Sequence, residues 1–355
     1  MRLLAALVLA GLAGLGGGYL WYGAAMTSPV GEAGDAVVLT LYGGATWDDA
    51  AGELAGEGLN PHPLFFGLRA RQRGKRVALK EGAYRFERTW TPDQIMDVLA
   101  EGPKEKDDGI KRWQIIPGHN IWQANRRMKR LEAGGDLLTL ASDAALMRRL
   151  KLPTPRERPK NARTLLEGYL YPDTYHLDRE TPTAEAGIGM ATRRFRKVFD
   201  ALKIKHARSY ARLMAEYRFT DHDFVTLASL IEKEVVVASE APHVAGVFYN
   251  RLKRRQRLET DPTLVYAPDT YDAVPAPRHR KDRTNRYNTY AYAGLPPGPI
   301  CNPASNALEA ALAPEKTDHI YFVAMRDGSG RHIFSKTHDE HRKNIEKYLI
   351  KPRSF

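Results

Sequence analysis

The segment that most constrains the fold is residues 221–236, which has the length of a helix and is apolar around most of its circumference. Thr220 is suited to cap this helix, with Asp223 three residues later as its partner. A helix with apolar side chains on most sides has to be buried. We therefore expect the C-terminal half of the chain to form a domain with a sizeable core.

Two acidic residues interrupt this apolar helix. Glu232 and Glu234 flank Lys233, and at roughly 100° per residue both acids fall within the apolar arc, so periodicity does not choose between them. A carboxyl group among apolar side chains has a raised pKa, because its ionised form is desolvated. Such a group can act as a general acid near neutral pH. The alternative is a buried ion pair with Lys or Arg.

The composition is that of a globular protein with about two domains. The chain has 355 residues, and domains contain roughly 100–200 residues each. Hydrophobic residues make up 43% and charged residues 27%, which excludes a mostly disordered chain. The formal net charge of +12 fits nucleic acid, an anionic membrane or another polyanion as a partner.

Cysteine and histidine usage excludes several kinds of site. Cys301 is the sole cysteine, so the chain has no intrachain disulfide, multi-cysteine zinc site or CxxC redox pair. The histidines form no HExxH motif and no close Cys/His spacing. We expect neither a metal nor a cofactor.

The N-terminal residues 1–31 are predicted to be a membrane anchor. An uncharged run at 3–31 reaches the length of about 20 apolar residues that crosses a bilayer, and the aromatic residues at 19–22 fit an interfacial belt. Arg2 precedes the run and acidic residues follow it, so the N-terminus is predicted to lie inside. The alternative is a cleaved signal peptide. Either alternative exports the rest of the chain and makes nucleic acid an improbable partner.

Residues 36–102 are predicted to form a small unit. The expected elements are a strand at 36–42, helices from 47 to about 56 and at 63–72, a strand at 80–86 and a helix at 92–100. The order strand, helix, helix, strand resembles a LysM-like module, and this resemblance implies binding to the peptidoglycan backbone. The alternative is a spacer that positions the larger domain.

The rest of the chain is predicted to hold a second small unit and the largest domain. Residues 110–150 are expected to contain a strand at 113–116 and helices at 121–133 and 137–150. A charged, proline-rich boundary at 152–160 precedes the domain at 160–355. Near its end, segments 319–325 and 331–336 flank a glycine-rich turn, which predicts a β-hairpin.

The largest domain contains several segments that combine glycines, prolines, aromatic residues and acids. A hydrophobic core does not require such combinations. One loop carries four prolines between Pro296 and Pro303, and a stiff loop costs little entropy to order around a ligand. The alternative is a surface connection. A cationic cluster at 251–257 fits either a solvated helix end or contact with an anionic polymer.

Seven ordered motifs resemble the YceG-like endolytic murein transglycosylase family. They are LEGYLYPDTY at 166–175, ASLIEKE at 228–234, VFYNRL at 247–252, TDPT at 260–263, YNTY at 287–290, GLPPGPI at 294–300, and a terminal set that begins with YFV at 321–323. The resemblance covers residues 160–345 and, with the anchor and the LysM-like module, nearly the whole chain. This sequence departs from the family pattern at two places. Residues 116–120 lack the usual glutamate, and the segment Cys301-Asn-Pro303 stands where a small residue before the proline is more usual.

The resemblance implies an α+β fold, with an N-terminal transmembrane helix, a small LysM-like module and a larger YceG-like catalytic domain that ends in a β-hairpin. It places the catalytic acid on Glu232 and implies cleavage of the bond between N-acetylmuramic acid and N-acetylglucosamine with formation of a 1,6-anhydro ring. The motifs point to a set of cleft residues, namely Glu167, Asp173, Asn250, Asp261, Tyr287, Asn288 and Tyr290.

The implied location is the bacterial inner membrane, with the catalytic domain in the periplasm. The implied partners are peptidoglycan glycan strands and peptidoglycan synthases. Two alternatives remain. A glycoside hydrolase would need a second carboxylate, for which Glu167 and Asp261 are candidates. A glycan-binding scaffold would need no catalytic acid.

Overall fold

The computed structural model describes residues 21–31, 36–41, 45–60, 62–74, 79–103, 110–152, 164–178 and 181–350. Over these ranges the chain is mixed α+β, and its strands form three two-stranded sheets. The chain divides into two compact units. The small unit comprises Met1–Arg112 and His176–Pro182, and the large unit comprises Trp113–Tyr175 and Thr183–Phe355.

The small unit contains an antiparallel strand pair and, besides the helical residues 21–27, three further helices in its described part. Strand β1 (Val37–Leu41) pairs with β2 (Gly82–Phe86), and the helices are α1 (Trp47–Gly56), α2 (Pro63–Gln72) and α3 (Pro92–Glu101). Thr46 and Thr91 begin α1 and α3 with capping boxes. Leu54, Phe66 and Phe86 are fully buried in the shared core. The predicted order of strand, helix, helix and strand is confirmed.

The predicted anchor lies mostly outside the described residues, because 1–20 are not among them. Residues 21–27 are helical. Of the helices in the described ranges, none is both long and apolar enough to cross a membrane.

The large unit is mainly helical. Strand β3 (Ile110–Gln114) pairs with β4 (Thr174–Asp178), and the large unit contains the antiparallel hairpin of β5 (Tyr321–Ala324) and β6 (His332–Ser335). Its helices are α4 (Ile121–Lys129), α5 (Leu137–Leu140), α6 (Ala144–Arg149), α7 (Ala184–Lys205), α8 (Ala207–Tyr217), α9 (Asp221–Glu234), α10 (Ala241–Lys253), α11 (Ser305–Leu312) and α12 (His338–Ile345), followed by a π-helical turn at Glu346–Ile350.

Several predictions differ from the observed elements. The strand predicted at 113–116 is β3 at Ile110–Gln114, and the helix predicted at 121–133 ends at Lys129. The predicted helix at 137–150 is two short helices, because the Asp143 side chain accepts hydrogen bonds from backbone N–H groups and starts α6. Strand β4 begins within the motif 166–175, where the sequence analysis predicted no strand. The large unit includes Trp113–Tyr175, and the separate unit at 110–150 stays a prediction.

Helix α9 forms the centre of the large unit. The capping box between Thr220 and Asp223 confirms the predicted start. Every residue from Phe224 to Ile231 is buried, and α11 packs along the helix. The helix ends at Glu234 because Val235 adopts an extended conformation. The sequence therefore predicted both the position and the burial of this helix.

Two glycines provide a matched test of how tightly the loop at 166–170 packs on α9. Gly168 and Gly294 have φ values of +87° and +86°, but a Cβ on Gly168 would lie 2.6 Å from Pro299 and 2.9 Å from Val225, whereas one on Gly294 would meet nothing within 4 Å. We expect Gly168→Ala to lower the free energy of unfolding by about 1–3 kcal/mol more than Gly294→Ala. Urea denaturation of both variants measures this difference, and equal losses would contradict it.

Candidate active site

Glu232 lies in the last turn of α9, and its side chain contacts the N-terminal end of α11. Its side chain is half-buried, and its Oε2 accepts a hydrogen bond of 3.0 Å from the backbone N–H of Ala304. Ala304 is the N-cap of α11. Burial raises the pKa of Glu232, while the Ala304 N–H and the charge of Lys233 oppose this shift. Burial therefore stabilises the protonated form of this carboxyl group, while the Ala304 N–H and Lys233 stabilise its ionised form.

Asn302 joins the loops around Glu232. Its buried Oδ1 accepts hydrogen bonds from the backbone N–H groups of Gly168 and Leu170, at 3.1 and 3.0 Å. Its Nδ2 donates to the carbonyl of His119 at 2.9 Å. Its backbone N–H also donates to His119, and its carbonyl accepts from Gly118. This one residue thus connects the loops at 116–120 and 166–170.

Ser229 fixes the proline-rich loop to α9. Its Oγ accepts a hydrogen bond of 3.0 Å from the backbone N–H of Ile300 and donates to the carbonyl of Thr226. The buried Cys301 thiol donates to the carbonyl of Ser229, and burial raises the pKa of this thiol well above its usual value. A protonated, buried thiol is a packing group rather than a nucleophile.

Glu167 is a buried acid between two other segments. Only 2% of this residue is exposed, and its Oε2 accepts hydrogen bonds from the Ile121 N–H at 2.9 Å and from the Tyr266 hydroxyl at 2.8 Å. Ile121 is the first residue of α4. Burial raises the pKa of Glu167 to about 7, against the effect of these hydrogen bonds. Glu167 therefore supports the site from behind instead of lining an open cleft.

An open pocket of about 170 Å³ lies next to these residues. It is lined by Asn120, Lys233, Pro262, Val265, Tyr266, Tyr271, Ala273, Pro275 and Ile300. Glu232 is not one of the lining residues, but its neighbour Lys233 and the loop residue Ile300 are. The pocket thus borders the position of Glu232.

Aromatic rings form one side of this pocket. Trp122 packs against Tyr266 with ring centroids 4.9 Å apart and stacks on Tyr271 at 5.4 Å. Tyr287 packs behind Tyr266 at 4.7 Å and is itself buried. Aromatic faces with polar edges suit the binding of sugars, which also present an apolar face and hydroxyl groups.

Asp261 lies at the edge of the pocket, beside Pro262. Its carboxylate accepts hydrogen bonds from the Tyr290 hydroxyl at 2.7 Å and from Arg280 at 3.2 Å. Its charge also acts on Glu234, whose pKa is raised to about 7, mainly by burial. Burial and Asp261 together raise the pKa of Tyr290.

Two other predicted cleft residues, Asn288 and Asn250, hold chain segments together. Asn288 is fully buried, and its Nδ2 donates to backbone carbonyls between His279 and Asp282. Asn250 donates to the carbonyls of Thr317 and His319. These two amides therefore hold chain segments in place and do not line the pocket.

Asp173 makes its contacts at the β3–β4 pair. Its carboxylate lies 3.6 Å from the Arg194 guanidinium of α7, and its carbonyl accepts from Ile115. None of the seven predicted cleft residues lines the described pocket: Glu167 and Tyr287 contact its lining residue Tyr266, and Asp261, which precedes the lining residue Pro262, binds Tyr290. Their roles as cleft residues stay predictions.

The sequence analysis missed several residues of the site. Asn302 and Ser229 organise the loops, Tyr266 and Tyr271 line the pocket, and Trp122 packs against both tyrosines. The only signal for Asn302 was its place in the stiff proline-rich loop. No local pattern marked Trp122 or Tyr271, because their proximity depends on contacts between segments far apart in the chain.

Glu167 provides a test of the site's electrostatics. Because the fold raises its pKa from 4.5 to about 7, the folded protein binds more protons than the unfolded chain within that window, and stability falls as pH rises through it. Glu167→Gln keeps the acceptor but does not titrate. We expect urea denaturation to show that wild type loses on the order of 3 kcal/mol more than the variant across this window. Parallel pH profiles would contradict this expectation.

Comparison with known proteins identifies relatives that span most of the chain. The model of the YceG-like family matches residues 39–347. An endolytic murein transglycosylase of Bacillus subtilis (strain 168) is 38% identical over 198 residues, which cover 54% of this chain and 50% of that protein. An endolytic murein transglycosylase of Streptococcus pneumoniae serotype 2 (strain D39) is 26% identical over 334 residues, which cover 88% and 58%.

A solved structure shows the same fold. The crystal structure of a YceG-like protein from Listeria monocytogenes aligns with a TM-score of 0.57 and 29% identity, over 87% of this chain and 99% of that one. The chain spans between half and three fifths of the length of the curated relatives that it matches. Since the family model matches well over half of its residues, the chain belongs to the YceG-like family.

Proposed function

We propose that this protein is an endolytic murein transglycosylase, which cuts the β-1,4 bond between N-acetylmuramic acid and N-acetylglucosamine within glycan strands. The observation that carries the proposal is Glu232, a half-buried acid with a raised pKa beside an open, aromatic-lined pocket. The relatives named endolytic murein transglycosylase support it. Termination of nascent glycan strands is the cellular role that this activity would serve.

In the first step, Glu232 acts as a general acid. Its Oε2 accepts the Ala304 N–H, so the proton is carried on Oε1. This proton passes to the glycosidic oxygen, the bond from C1 of the muramic acid residue to that oxygen breaks, and the N-acetylglucosamine end leaves with a free 4-hydroxyl group. Positive charge develops at C1 and its ring oxygen.

In the second step, the Glu232 carboxylate acts as a base. The C6 hydroxyl of the same muramic acid residue attacks C1, and its proton returns to Glu232, so the 1,6-anhydro ring closes and the enzyme is regenerated. The Ala304 N–H and the charge of Lys233 stabilise the carboxylate between the two steps. The nucleophile is part of the substrate, so its attack needs little additional ordering entropy.

The surroundings of Glu232 favour this mechanism over hydrolysis. A hydrolase needs a second carboxylate that activates water or forms a covalent intermediate. Glu167 is buried, and its Oε2 is engaged by Ile121 and Tyr266. Asp261 is engaged by Tyr290 and Arg280. Neither group is arranged as a free base facing the pocket.

The cellular setting belongs to the same proposal. Residues 1–31 would anchor the protein in the inner membrane, with the catalytic domain in the periplasm, where nascent glycan strands and peptidoglycan synthases are found. The small unit would bind glycan as a LysM-like module. The net charge of +12 suits retention near anionic lipids and carboxylate-bearing peptidoglycan.

Replacing the acid tests the assignment. We expect Glu232→Gln to reduce the release of anhydro-muropeptides by a factor of at least roughly 10²–10⁴, because an amide cannot donate the proton. The readout is mass spectrometry of products from uncrosslinked nascent glycan.

The matched control is Glu234→Gln, which removes the second acid of the same helix. We expect a loss of less than about tenfold for this variant, since general acid catalysis rests on Glu232. Larger damage from Glu234→Gln than from Glu232→Gln would transfer the catalytic role to Glu234.

Labelled water tests the reaction type. Digestion in H₂¹⁸O should leave no ¹⁸O at the new muramic acid ends, because the attacking oxygen is the substrate's own C6 hydroxyl. Mass spectrometry detects the label directly. Incorporation of ¹⁸O would establish the hydrolase alternative instead.

A further inference from the structure

The small unit has a concentration of exposed apolar side chains on one surface. Among the described residues, Leu64 is 89% exposed, Trp21 50%, Leu68 45% and Phe65 36%. We call these four residues the apolar patch. Other large exposed apolar residues, such as Ile204 and Val274, do not adjoin them in the chain. Exposed apolar groups that cluster in this way mark an interaction surface.

Helix α2 explains the shape of this patch. Phe66 and Ala70 face the core of the small unit and are fully buried. Leu64 and Leu68 are four residues apart, so they lie on the same outward face. A surface helix normally presents polar residues there. The first two turns of α2 are therefore apolar on both faces, which the packing of the small unit alone does not require.

Trp21 and Tyr22 attach the N-terminal segment to α2. The Trp21 ring lies 5.5 Å from Phe65 and 5.0 Å from His62, and Tyr22 packs on Phe65 at 5.6 Å. The Tyr22 hydroxyl donates a hydrogen bond of 3.0 Å to Gln72. The position where the apolar run at 3–20 continues into Trp21 is therefore fixed beside the apolar patch.

We propose that the apolar patch lies against the lipid bilayer, at the boundary between headgroups and acyl chains. The apolar run at 3–20 is the central part of the anchor proposed at 1–31, so Trp21 lies at the membrane surface. Its contact with α2 brings Leu64 and Leu68 to the same depth. This inference rests on the anchoring part of the proposed function. Amphipathic helices with Trp, Phe and Leu bind membranes in this way.

Charged residues of α2 suit the same orientation. Arg69 and Arg71 lie in its last turn, and Arg73 follows as the C-cap. Arg69 and Arg73 pair with Asp93 within the small unit, so Arg71 is the one of these three that suits headgroup contact. Arg71 is 67% exposed even though it pairs with Asp48. Arginine side chains extend from an apolar base to the headgroup layer. A protein partner fits less well, because stable interfaces use about 20–30 residues on each side.

Spin labelling of the full chain tests the patch. A nitroxide is attached to Leu64→Cys and, as the control, to Ala100→Cys at the exposed end of α3. The buried Cys301 should remain unlabelled, which wild type verifies. Both proteins are reconstituted into vesicles of phosphatidylethanolamine and phosphatidylglycerol. Power saturation then compares access of oxygen, which enters lipid, with access of a nickel chelate, which remains in water.

We expect the Leu64 label to be several-fold more accessible to oxygen than to nickel, and the Ala100 label to show the reverse. A Leu64 label as accessible to nickel as Ala100 overturns the inference, and so does one shielded from both reagents, which would indicate a protein covering. Flotation of the same vesicles reports the anchor separately. Loss of flotation overturns both ideas, while flotation with a nickel-accessible Leu64 label overturns the patch alone.

Discussion

The side-chain amide of Asn302 is the interaction on which the site depends. It bonds two backbone N–H groups of the loop at 166–170 and the carbonyl of His119, so three separate segments meet at one buried residue. Each such bond contributes only about 1 kcal/mol, but a buried N–H left without a partner costs about 1–3 kcal/mol. Ala304 lies two residues after Asn302, and its backbone N–H donates to Glu232. The position of the proposed acid therefore follows from the geometry of Asn302.

Two carboxyl groups of this site meet the N-terminal ends of helices. Glu232 accepts from the N-cap of α11, and Glu167 accepts from the first residue of α4. Helix N-termini favour the ionised form, while burial favours the neutral form. Glu167 is buried with its hydrogen bonds inside the protein. Glu232 is half-exposed, so it can exchange a proton with a substrate. The two carboxyl groups thus have different roles, structural for Glu167 and, in the proposed mechanism, catalytic for Glu232, because only Glu232 is accessible to solvent.

Helix starts and the first strand pair were predictable to within a residue or two, whereas β3 begins at Ile110 instead of 113 and α4 ends at Lys129 instead of 133. Capping residues such as Thr46, Thr91 and Thr220 mark helix starts in the sequence, because each bonds a residue only three positions later. Strand β4 was missed because a strand is defined by its partner, and β3 is about 60 residues earlier in the chain. The single helix expected at 137–150 was wrong because Asp143 competes locally for backbone N–H groups and begins a new helix.

The sequence by itself determined the buried helix α9, the two acids near its end and the stiff loop that packs on it, because periodicity, capping and proline content are local properties. Only the tertiary structure decided what each polar side chain does. Asn288 and Asn250 became internal supports, and Asn302 became the centre of the site, although all three are asparagines in loops or at helix surfaces. Their roles depend on which distant backbone groups lie within hydrogen-bonding distance.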